Sequence, residues 1–382
     1  MNSDRILDAA VRLLAVGGWR KLSYLAVANE AGLTRRSVSD RHDDVPALSV
    51  AVWQHRCAPA LAAAIDDLLH ASDLDSMSAA LTAFQSPSPE LAAATELLVQ
   101  SQFTPVLSRA VAGSLGVEVT ELLDGSQVGV TAGDIGRSAY LLIVAFGLLL
   151  TERAFDLGPI DVRSHAARVL AALELRERPV ELAETPQTPP PGPVEFDTGD
   201  PVLDLLLAAT VRAIGSYGFE DSSLDEIAAD AGFTKGAMFS RYDTKLALVR
   251  DAIKRASERS VEVSAQFMAA ASERYGRGIG EALHIRNITS PAYAQRRTFL
   301  LEELRIAKHY EEVRQQQSEH LLRICAQLAA TEGIPDDVHL RSLVYFAVAV
   351  GNGNALLPLL YPQAHELAYE VMTVPIDRLV NG

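Results

Sequence analysis

The sequence predicts an all-α protein made of two similar units in tandem. Alanine and leucine dominate and β-branched runs are few, which favours helix along the whole chain. Apolar residues recur at helical spacing in most segments. A pattern of two short helices joined by a glycine turn also occurs twice, 200 residues apart. We therefore expect each unit to begin with a three-helix domain and to continue as a larger helical domain.

Length and composition limit the classes of protein that fit. A chain of 382 residues is too long for one core of ordinary size, so at least two domains are expected. The net charge of −15 excludes a general basic field for nucleic acid but leaves room for a small basic face. The two cysteines, Cys57 and Cys325, support neither a disulfide framework nor a zinc site. We expect no metal and no cofactor.

Two apolar runs raise the question of a membrane. The run Ala139–Leu150 is too short to span a bilayer, and the run Ser342–Ala364 is interrupted by glycine, asparagine and proline. We expect both to be buried helices, with no membrane partner. The N-terminal sequence lacks the basic and then apolar form of a signal peptide, which favours the cytoplasm.

The repeat is gapless where it is strongest. Fourteen of the 42 positions from 7 to 48 hold the same residue as the position 200 further on. They include the glycines Gly18 and Gly32, with Gly218 and Gly232 as their counterparts. Chance does not readily give such a match, so the sequence indicates a tandem duplication.

Each unit opens with one helix, expected from Ser3 to Val16 in the first unit and from Val202 to Ser216 in the second. Glycine follows each helix and can close it, because glycine adopts the left-handed conformation easily.

The next helix of the second unit begins at Ser223, where a capping box is expected. Ser223 can accept from the backbone N–H of Glu226, whose carboxylate can reach back. The first unit keeps Ser23 but has Ala26, so half of that box is missing. After the glycine turn, Thr234 is the expected N-cap of the following helix.

The helix at 235–241 is the candidate recognition helix. In a helix-turn-helix, the first residues of this helix reach base edges in the major groove and neighbouring groups bind phosphates. A positive charge at the start of the next helix has a poor electrostatic rationale there, so we expect Lys245 to contact a phosphate. The alternative is that Arg241 and Lys245 are solvated surface charges. The candidate DNA contacts of this unit are Ser223, Thr234, Lys235, Gly236, Ala237, Phe239, Arg241, Tyr242 and Lys245.

The run IAADAGFTKGAMFSRYDTKLAL, from Ile227 to Leu248, resembles the tetracycline-repressor (TetR) family almost position by position. It departs at Phe239, where the family usually has tyrosine, and at Tyr242, where it usually has phenylalanine. Phe239 lacks a hydroxyl that commonly touches phosphate in the family.

The first unit departs further from the family pattern. Arg36 replaces its glycine, Ser39 its tyrosine, His42 its phenylalanine and Val45 its lysine. Two interpretations stay open: the unit reads a different half-site through arginine contacts, or it is a decayed structural copy. Its candidate DNA contacts are Thr34, Arg35, Arg36, Ser37 and Arg41.

The resemblance implies three N-terminal helices for DNA, then a helical domain with a small-molecule pocket and an antiparallel helix pair for dimerisation. Five prolines between Pro186 and Pro193 favour an extended linker between the units. The expected divisions are a degenerate helix-turn-helix domain at 1–55, a helical ligand-binding and dimerisation domain at 56–180, the linker at 181–200, a well-preserved helix-turn-helix domain at 201–255, and a second helical ligand-binding and dimerisation domain at 256–382.

The candidate bundle helices are Asp134–Phe155 with Val162–Leu175, and Val338–Leu360 with Gln363–Leu379. Their apolar faces suit subunit packing. The two units can therefore pair within one chain as an internal pseudo-dimer, and the pairing of two chains as a homodimer is equally open.

The effector site is expected in the helical domain of the second unit. Helical spacing predicts one stripe of Phe299, Ile306, Tyr310 and Val313, with Glu303 on the same face. A polar group in such a stripe either orients a ligand or is paired internally. Two asparagines interrupt a later apolar helix and could bind a ligand or a partner helix. The candidate effector contacts are Phe299, Glu303, Tyr310, Asn352 and Asn354.

These observations together predict a cytoplasmic, tandem TetR-like transcriptional regulator, expected to act as a repressor. It would bind a double-stranded DNA operator and respond to an unknown small-molecule effector. The sequence contains neither an HExxH nor a GxSxG pattern, so we do not expect an enzyme. The alternative is a sensor or interaction protein that keeps the fold but has lost DNA reading, which the acidic balance and the degenerate first unit favour.

Overall fold

The computed structural model describes residues 2–125, 131–174, 194–275 and 277–367. Every regular element in these ranges is a helix, which confirms the all-α class. The helices before the linker are α1 (Asn2–Gly17), α2 (Tyr24–Ala31), α3 (Arg35–Ser39), α4 (Val45–Val52), α5 (Ala58–Leu69), α6 (Leu74–Gln85), α7 (Pro89–Ser101), α8 (Pro105–Ala112), α9 (Leu115–Leu123), α10 (Ala132–Thr151) and α11 (Val162–Glu174). Those after it are α12 (Pro201–Asp221), α13 (Leu224–Asp230), α14 (Lys235–Phe239), α15 (Lys245–Tyr275), α16 (Arg277–Thr289), α17 (Ala294–His309), α18 (Glu311–Glu332) and α19 (Val338–Leu360).

We call residues 2–174 the first half and residues 194–367 the second half. Each half begins with three helices that form a small domain, the first head at residues 2–39 and the second head at residues 201–239. The linker residues 181–193, for which an extended conformation is predicted, lie outside the described residues.

The two heads share their backbone turns. Gly18 and Gly218 have φ values of 69° and 77°, and Gly32 and Gly232 have φ values of 62° and 79°. Residues with a side chain rarely adopt such φ values, so all four positions favour glycine. Gly218 interrupts the helical geometry of α12, so its first straight part ends close to the predicted position.

An equivalent ion pair braces each head. Arg12 of α1 lies 2.7 Å from Glu30 of α2, and Arg212 of α12 lies 2.7 Å from Asp230 of α13. These side chains are partly exposed, so each ion pair contributes little to the free energy of unfolding. The two pairs do indicate that the two heads have the same local geometry.

The halves pack together through α10 and α19, whose backbones approach closely at two points. A Cβ added at Gly147 would lie 1.8 Å from the carbonyl oxygen of Ala349. A Cβ added at Gly353 would lie 1.9 Å from the carbonyl oxygen of Ile143. Only glycine permits this spacing, so the two helices interlock without an intervening layer of side chains.

Helix α11 adds a second contact between the halves. The ring of His165 stacks on the ring of Phe346 in α19. The backbone N–H of Asp161, just before α11, donates to Ser342 Oγ at 2.8 Å. The α10–α11 pair of the first half therefore lies against α19 of the second.

The observed helices correct several expected boundaries. Helix α10 ends at Thr151 rather than Phe155, and Arg153 adopts a left-handed φ of 58° just beyond it. Helix α19 has the predicted bounds, Val338–Leu360, and it continues through its asparagines and through Pro358. After it, a 3-10 turn occupies Ala364–Glu366. The rest of the expected Gln363–Leu379 helix lies outside the described residues, as does Leu175.

Three described helices are long and apolar enough to cross a membrane by length and composition. They are Gly133–Thr151, Pro201–Asp221 and Val338–Leu360. The first exceeds the run Ala139–Leu150, so the argument that this segment is too short is wrong. In the structure 72%, 50% and 61% of their apolar windows are buried inside the protein, so protein contacts cover much of each one.

Candidate nucleic-acid interface

The first helix of the second motif, α13, begins with the expected capping box. The backbone N–H of Glu226 donates to Ser223 Oγ at 3.1 Å, and the N–H of Ser223 donates to Glu226 Oε2 at 3.1 Å. In the first motif Ser23 Oγ accepts the N–H of Ala26 at 3.2 Å, and the reciprocal bond has no side chain to make it. The hydroxyl of Ser223 therefore already serves as a helix cap.

The candidate recognition helix α14 is short and anchored from one side. Met238 is fully buried, while Gly236 and Phe239 are exposed, with Phe239 at 42%. The side chains of Lys235 and Ala237 lie outside the described part of the chain, and the cap predicted at Thr234 stays a prediction. Helix α14 is therefore held by Met238, and Gly236 and Phe239 lie at the protein surface.

Two of the candidate DNA contacts are held by carboxylates of the protein. Arg241 Nη1 lies 2.6 Å from Asp200 Oδ2, at the N-terminus of α12. The hydroxyl of Tyr242 donates to Asp251 Oδ2 at 2.5 Å. Burial first, and then Asp251, raise the pKa of Tyr242 above its usual range, so this hydroxyl stays protonated.

Lys245 has an intramolecular role that the sequence argument overlooked. Its Nζ donates to the carbonyl oxygens of Phe219, Glu220 and Ser222, at 2.5, 3.3 and 2.9 Å. It also lies 4.4 Å from the centroid of the Phe219 ring. Lys245 therefore has a structural role outside its own helix, because it caps carbonyls at the end of α12. The phosphate contact stays a prediction.

The candidate recognition helix of the first unit, α3, spans Arg35–Ser39. Thr34 Oγ1 accepts the backbone N–H of Ser37 at 3.2 Å and so caps the helix. Arg35 and Arg36 are exposed, and Arg36 lies 3.6 Å from Asp40. The helix therefore offers two arginines to a ligand.

Arg41, the last candidate contact of this unit, turns back onto the same helix. Its Nη1 donates to the carbonyl oxygen of Ser37 at 2.7 Å, which satisfies one of the free carbonyls of a short helix.

The candidate effector residue Glu303 is buried in a polar cluster. Ser257 Oγ donates to it at 2.7 Å, and Gln317 also donates to it. Burial raises the pKa of Glu303 to about 7, against the opposing effect of these hydrogen bonds. The cluster joins α15, α17 and α18, so Glu303 has the internal partners that the sequence left as one alternative.

The other candidate effector residues do not form one surface with it. The expected stripe on a single helix is wrong, because α17 ends at His309 and Tyr310 is extended, with φ −125° and ψ 107°. Phe299 is buried in the core. Asn354 Nδ2 donates to the carbonyl oxygen of Val350 at 2.7 Å, and Asn352 is also buried.

A cleft of about 510 Å³ lies elsewhere, between the two halves. None of the five candidate effector residues lines it. Its walls come from the segment after α10 and from α18, and they are Arg153, Asp156, Glu311, Arg314, Gln315, Ser318, Glu319 and Leu322.

A set of buried charges at the junction of the heads was missed by the sequence reasoning. Glu96 of α7 lies 2.8 Å from His309 Nε2, and Arg305 Nη2 lies 2.7 Å from Glu302 Oε1. A comparison of the two units could have paired Glu96 with Glu302. The two residues are 206 positions apart, so an alignment with the offset of 200 does not bring them together.

Comparison with known families places a helix-turn-helix domain in the second half. The family described as "Bacterial regulatory proteins, tetR family" matches residues 206–252. This range covers the second head from within α12 to the first turns of α15, where the sequence resemblance lies. The match gives no support to a second such domain in the first half. A comparison with curated proteins finds no match. A tetR-type helix-turn-helix suggests a DNA-binding transcriptional regulator.

Proposed function

We propose that the protein is a DNA-binding transcriptional regulator, with repression as its action, that contacts operator DNA through two heads carried on one chain. The match of residues 206–252 to the tetR family carries the proposal. The capped α13, the turn at Gly232 and the anchored, outward-facing α14 support it, because these features present a helix to a major groove.

The first head is part of the proposal because its local geometry matches that of the second. The paired glycine turns, the equivalent ion pairs and the serine caps all support a tandem duplication. They favour the expected division into two heads, two helical domains and a linker. The exposed Arg35 and Arg36 favour a reading head over a decayed one, since arginine is the commonest partner of guanine.

The pairing of the halves supports an internal pseudo-dimer rather than a homodimer. The close crossing of α10 and α19 uses the helices expected to form the subunit bundle. In this arrangement each half takes the place of one subunit of a two-headed regulator.

The operator is then asymmetric. The recognition helices begin with Arg35, Arg36 and Ser37 in one head, and with Lys235, Gly236 and Ala237 in the other. Different side chains at these positions read different bases, so the two half-sites differ in sequence.

The small-molecule effector remains part of the proposal, with Glu303 as its polar contact. A carboxyl buried between α15, α17 and α18, with its pKa raised to about 7, can exchange its internal partners for those of a ligand. We also infer a cytoplasmic and non-catalytic protein, in keeping with the tetR-type domain.

A band-shift series tests the function. Genomic fragments that include the chain's own upstream region are titrated with protein at low salt. We expect a sequence-selective shift that weakens steeply as salt rises. Arg36→Ala should weaken binding to one half-site by about 1–3 kcal/mol and relax its specificity. Arg109→Ala, an exposed arginine of α8 outside the heads, is the matched control and should bind as the parent does.

The same series separates the alternative function. Micromolar protein that gives no sequence-selective shift at low salt would point instead to a sensor or interaction protein. A normal shift with Arg36→Ala would make the second head the main reader.

A further inference from the structure

The C-terminal part of α17, with the residue that follows it, contacts both heads. The carboxylate of Glu302 accepts the backbone N–H of Phe219 in the second head at 2.8 Å. The ring of Tyr310 packs edge-on against Phe219, with centroids 5.3 Å apart. On its other side the guanidinium of Arg20, in the first head, lies 4.8 Å from the centroid of the Tyr310 ring. One segment of the second half therefore lies between the two heads.

A second carboxylate performs the same role for the first head. Glu96 Oε2 accepts the backbone N–H of Trp19 at 3.3 Å, and Trp19 follows the left-handed Gly18 just as Phe219 follows Gly218. Each head is thus tied, at the residue after its hinge glycine, to a buried glutamate of its own half.

Both glutamates contact basic side chains of the second half. His309 Nε2 lies 2.8 Å from Glu96 Oε1, which joins α17 to α7. Arg305 Nη2 lies 2.7 Å from Glu302 Oε1, and Arg305 Nη1 donates to Gln100 Oε1 of α7 at 2.6 Å. All the polar contacts of this set are buried or nearly so, so none can be replaced by water without opening the junction.

The basic side chains of the second half act on the pKa of Glu96. Burial alone would raise the pKa of Glu96, but the hydrogen bond to His309 and the charges of His309, Arg305 and Lys308 lower it below its usual range. Lys308 is itself anchored by donating to the carbonyl oxygen of Leu149 at 2.6 Å. Glu96 is therefore a carboxylate that stays charged because the other half lies against it.

The first half has no such cations to offer. In the register that aligns Glu96 with Glu302, its residues at the positions of Arg305 and His309 are Val99 and Phe103. Two first halves packed in this way would bury two carboxylates without a cation, and such a burial is strongly unfavourable.

We propose that Arg305 and His309 are positioning residues that hold the two heads in one fixed relation, and that only the second half can supply them. The partner that this surface fits is the first half of the same chain. The relevance of this proposal to DNA binding rests on the proposed function. The distance between the two heads can be measured whether or not the protein binds DNA.

That distance is measured without DNA. Spin labels are placed at Asn29→Cys and Ala229→Cys, equivalent and exposed positions of the two heads, since both natural thiols are buried. Double electron–electron resonance on the full chain should give one narrow distance for the parent. Arg305→Gln and His309→Gln should lose that single narrow peak. Arg323→Gln, an exposed arginine of α18, is the control and should keep it.

A paired variant guards against loss of folding. Glu96→Gln combined with His309→Gln replaces both members of the pair by amides and keeps an oxygen for the N–H of Trp19. We expect the melting temperature of this paired variant to be closer to the parent's than that of His309→Gln alone. Its distance peak should still be broader than the parent's.

A narrow, unshifted peak in folded Arg305→Gln and His309→Gln would overturn the proposal. So would an unshifted peak in the paired variant if the single variants do not fold. An absence of band shifts by the parent protein would refute DNA binding and leave the distance result intact, so the two failures are distinguishable.

Discussion

His165 lies flat on Phe346, with ring centroids 3.5 Å apart and ring planes 2° from parallel. This contact joins the two halves, and the imidazole within it has to be neutral. Burial first, and then the charge of Arg168, lower the pKa of His165 to about 3. Its unfolded pKa is about 6.5, so the unfolded chain takes up a proton that the folded chain refuses as pH falls.

We therefore expect the free energy of unfolding to fall below pH 6.5, by about 5 kcal/mol from this group when pH reaches 3. His165→Leu should unfold at a higher denaturant concentration than the parent at pH 5 and show little difference at pH 8. His70→Gln, at the exposed histidine that follows α5, should keep the parent's acid sensitivity. An equal loss of stability in parent and His165→Leu between pH 8 and 5 would contradict the assignment.

Glu303 has the opposite dependence on pH. Burial raises its pKa to about 7, whereas the unfolded value is near 4.5, so the folded chain holds a proton that the unfolded chain has lost. Stability from this group is present below pH 4.5 and decreases by about 3 kcal/mol as pH rises through 7. Glu303→Gln keeps the shape and should flatten the pH profile of the denaturation midpoint between pH 4.5 and 7. Glu332→Gln, at an exposed position of α18, should leave the profile as it is.

The crossing of α10 and α19 should reject any side chain at its two glycines. Gly147→Ala and Gly353→Ala each place a Cβ within 2 Å of a facing carbonyl oxygen, so we expect a loss of about 1–3 kcal/mol or more. Gly351→Ala provides the matched control on α19, because its Cβ would meet nothing within 4 Å. This control should raise stability by about 0.5–1 kcal/mol, since alanine is the better helix former. Melting curves of the three variants would settle the order, and equal melting temperatures would refute the close crossing.

Lys245 should stabilise the second head, whether or not it also contacts DNA. Lys245→Met keeps the length of the side chain but removes three hydrogen bonds to carbonyl oxygens, at an expected loss of about 1–3 kcal/mol. Hydrogen exchange of the amides in α12 and α13 should accelerate. Lys254→Met, at an exposed position of the same helix, should leave exchange unchanged. If exchange stays slow in Lys245→Met while DNA binding weakens, phosphate contact is its main role.

Much of the second head could be predicted from local sequence. The capping box at Ser223 depends on residues three apart, and the turn at Gly232 depends on one residue that tolerates a positive φ. Both features depend only on residues within a few positions of each other, so the local sequence was sufficient to predict them.

The errors arose where partners are distant in sequence. The carbonyls that receive Lys245 lie more than twenty residues before it, and nothing near Lys245 announces them. The break at Tyr310 depends on packing against both heads, which overrides the helical spacing of its neighbours. The pairing of Glu96 with His309 depends on contact between helices of two halves, and no periodicity within one helix contains that information.

The interlocked α10 and α19 have a consequence for dosage. A regulator assembled from two separate chains loses its active form with the square of concentration, because each binding unit requires an encounter. Here the contact between the halves belongs to one covalent chain, so dilution does not separate it. On the proposed function, occupancy of an operator at low concentration would rise in simple proportion to the number of chains.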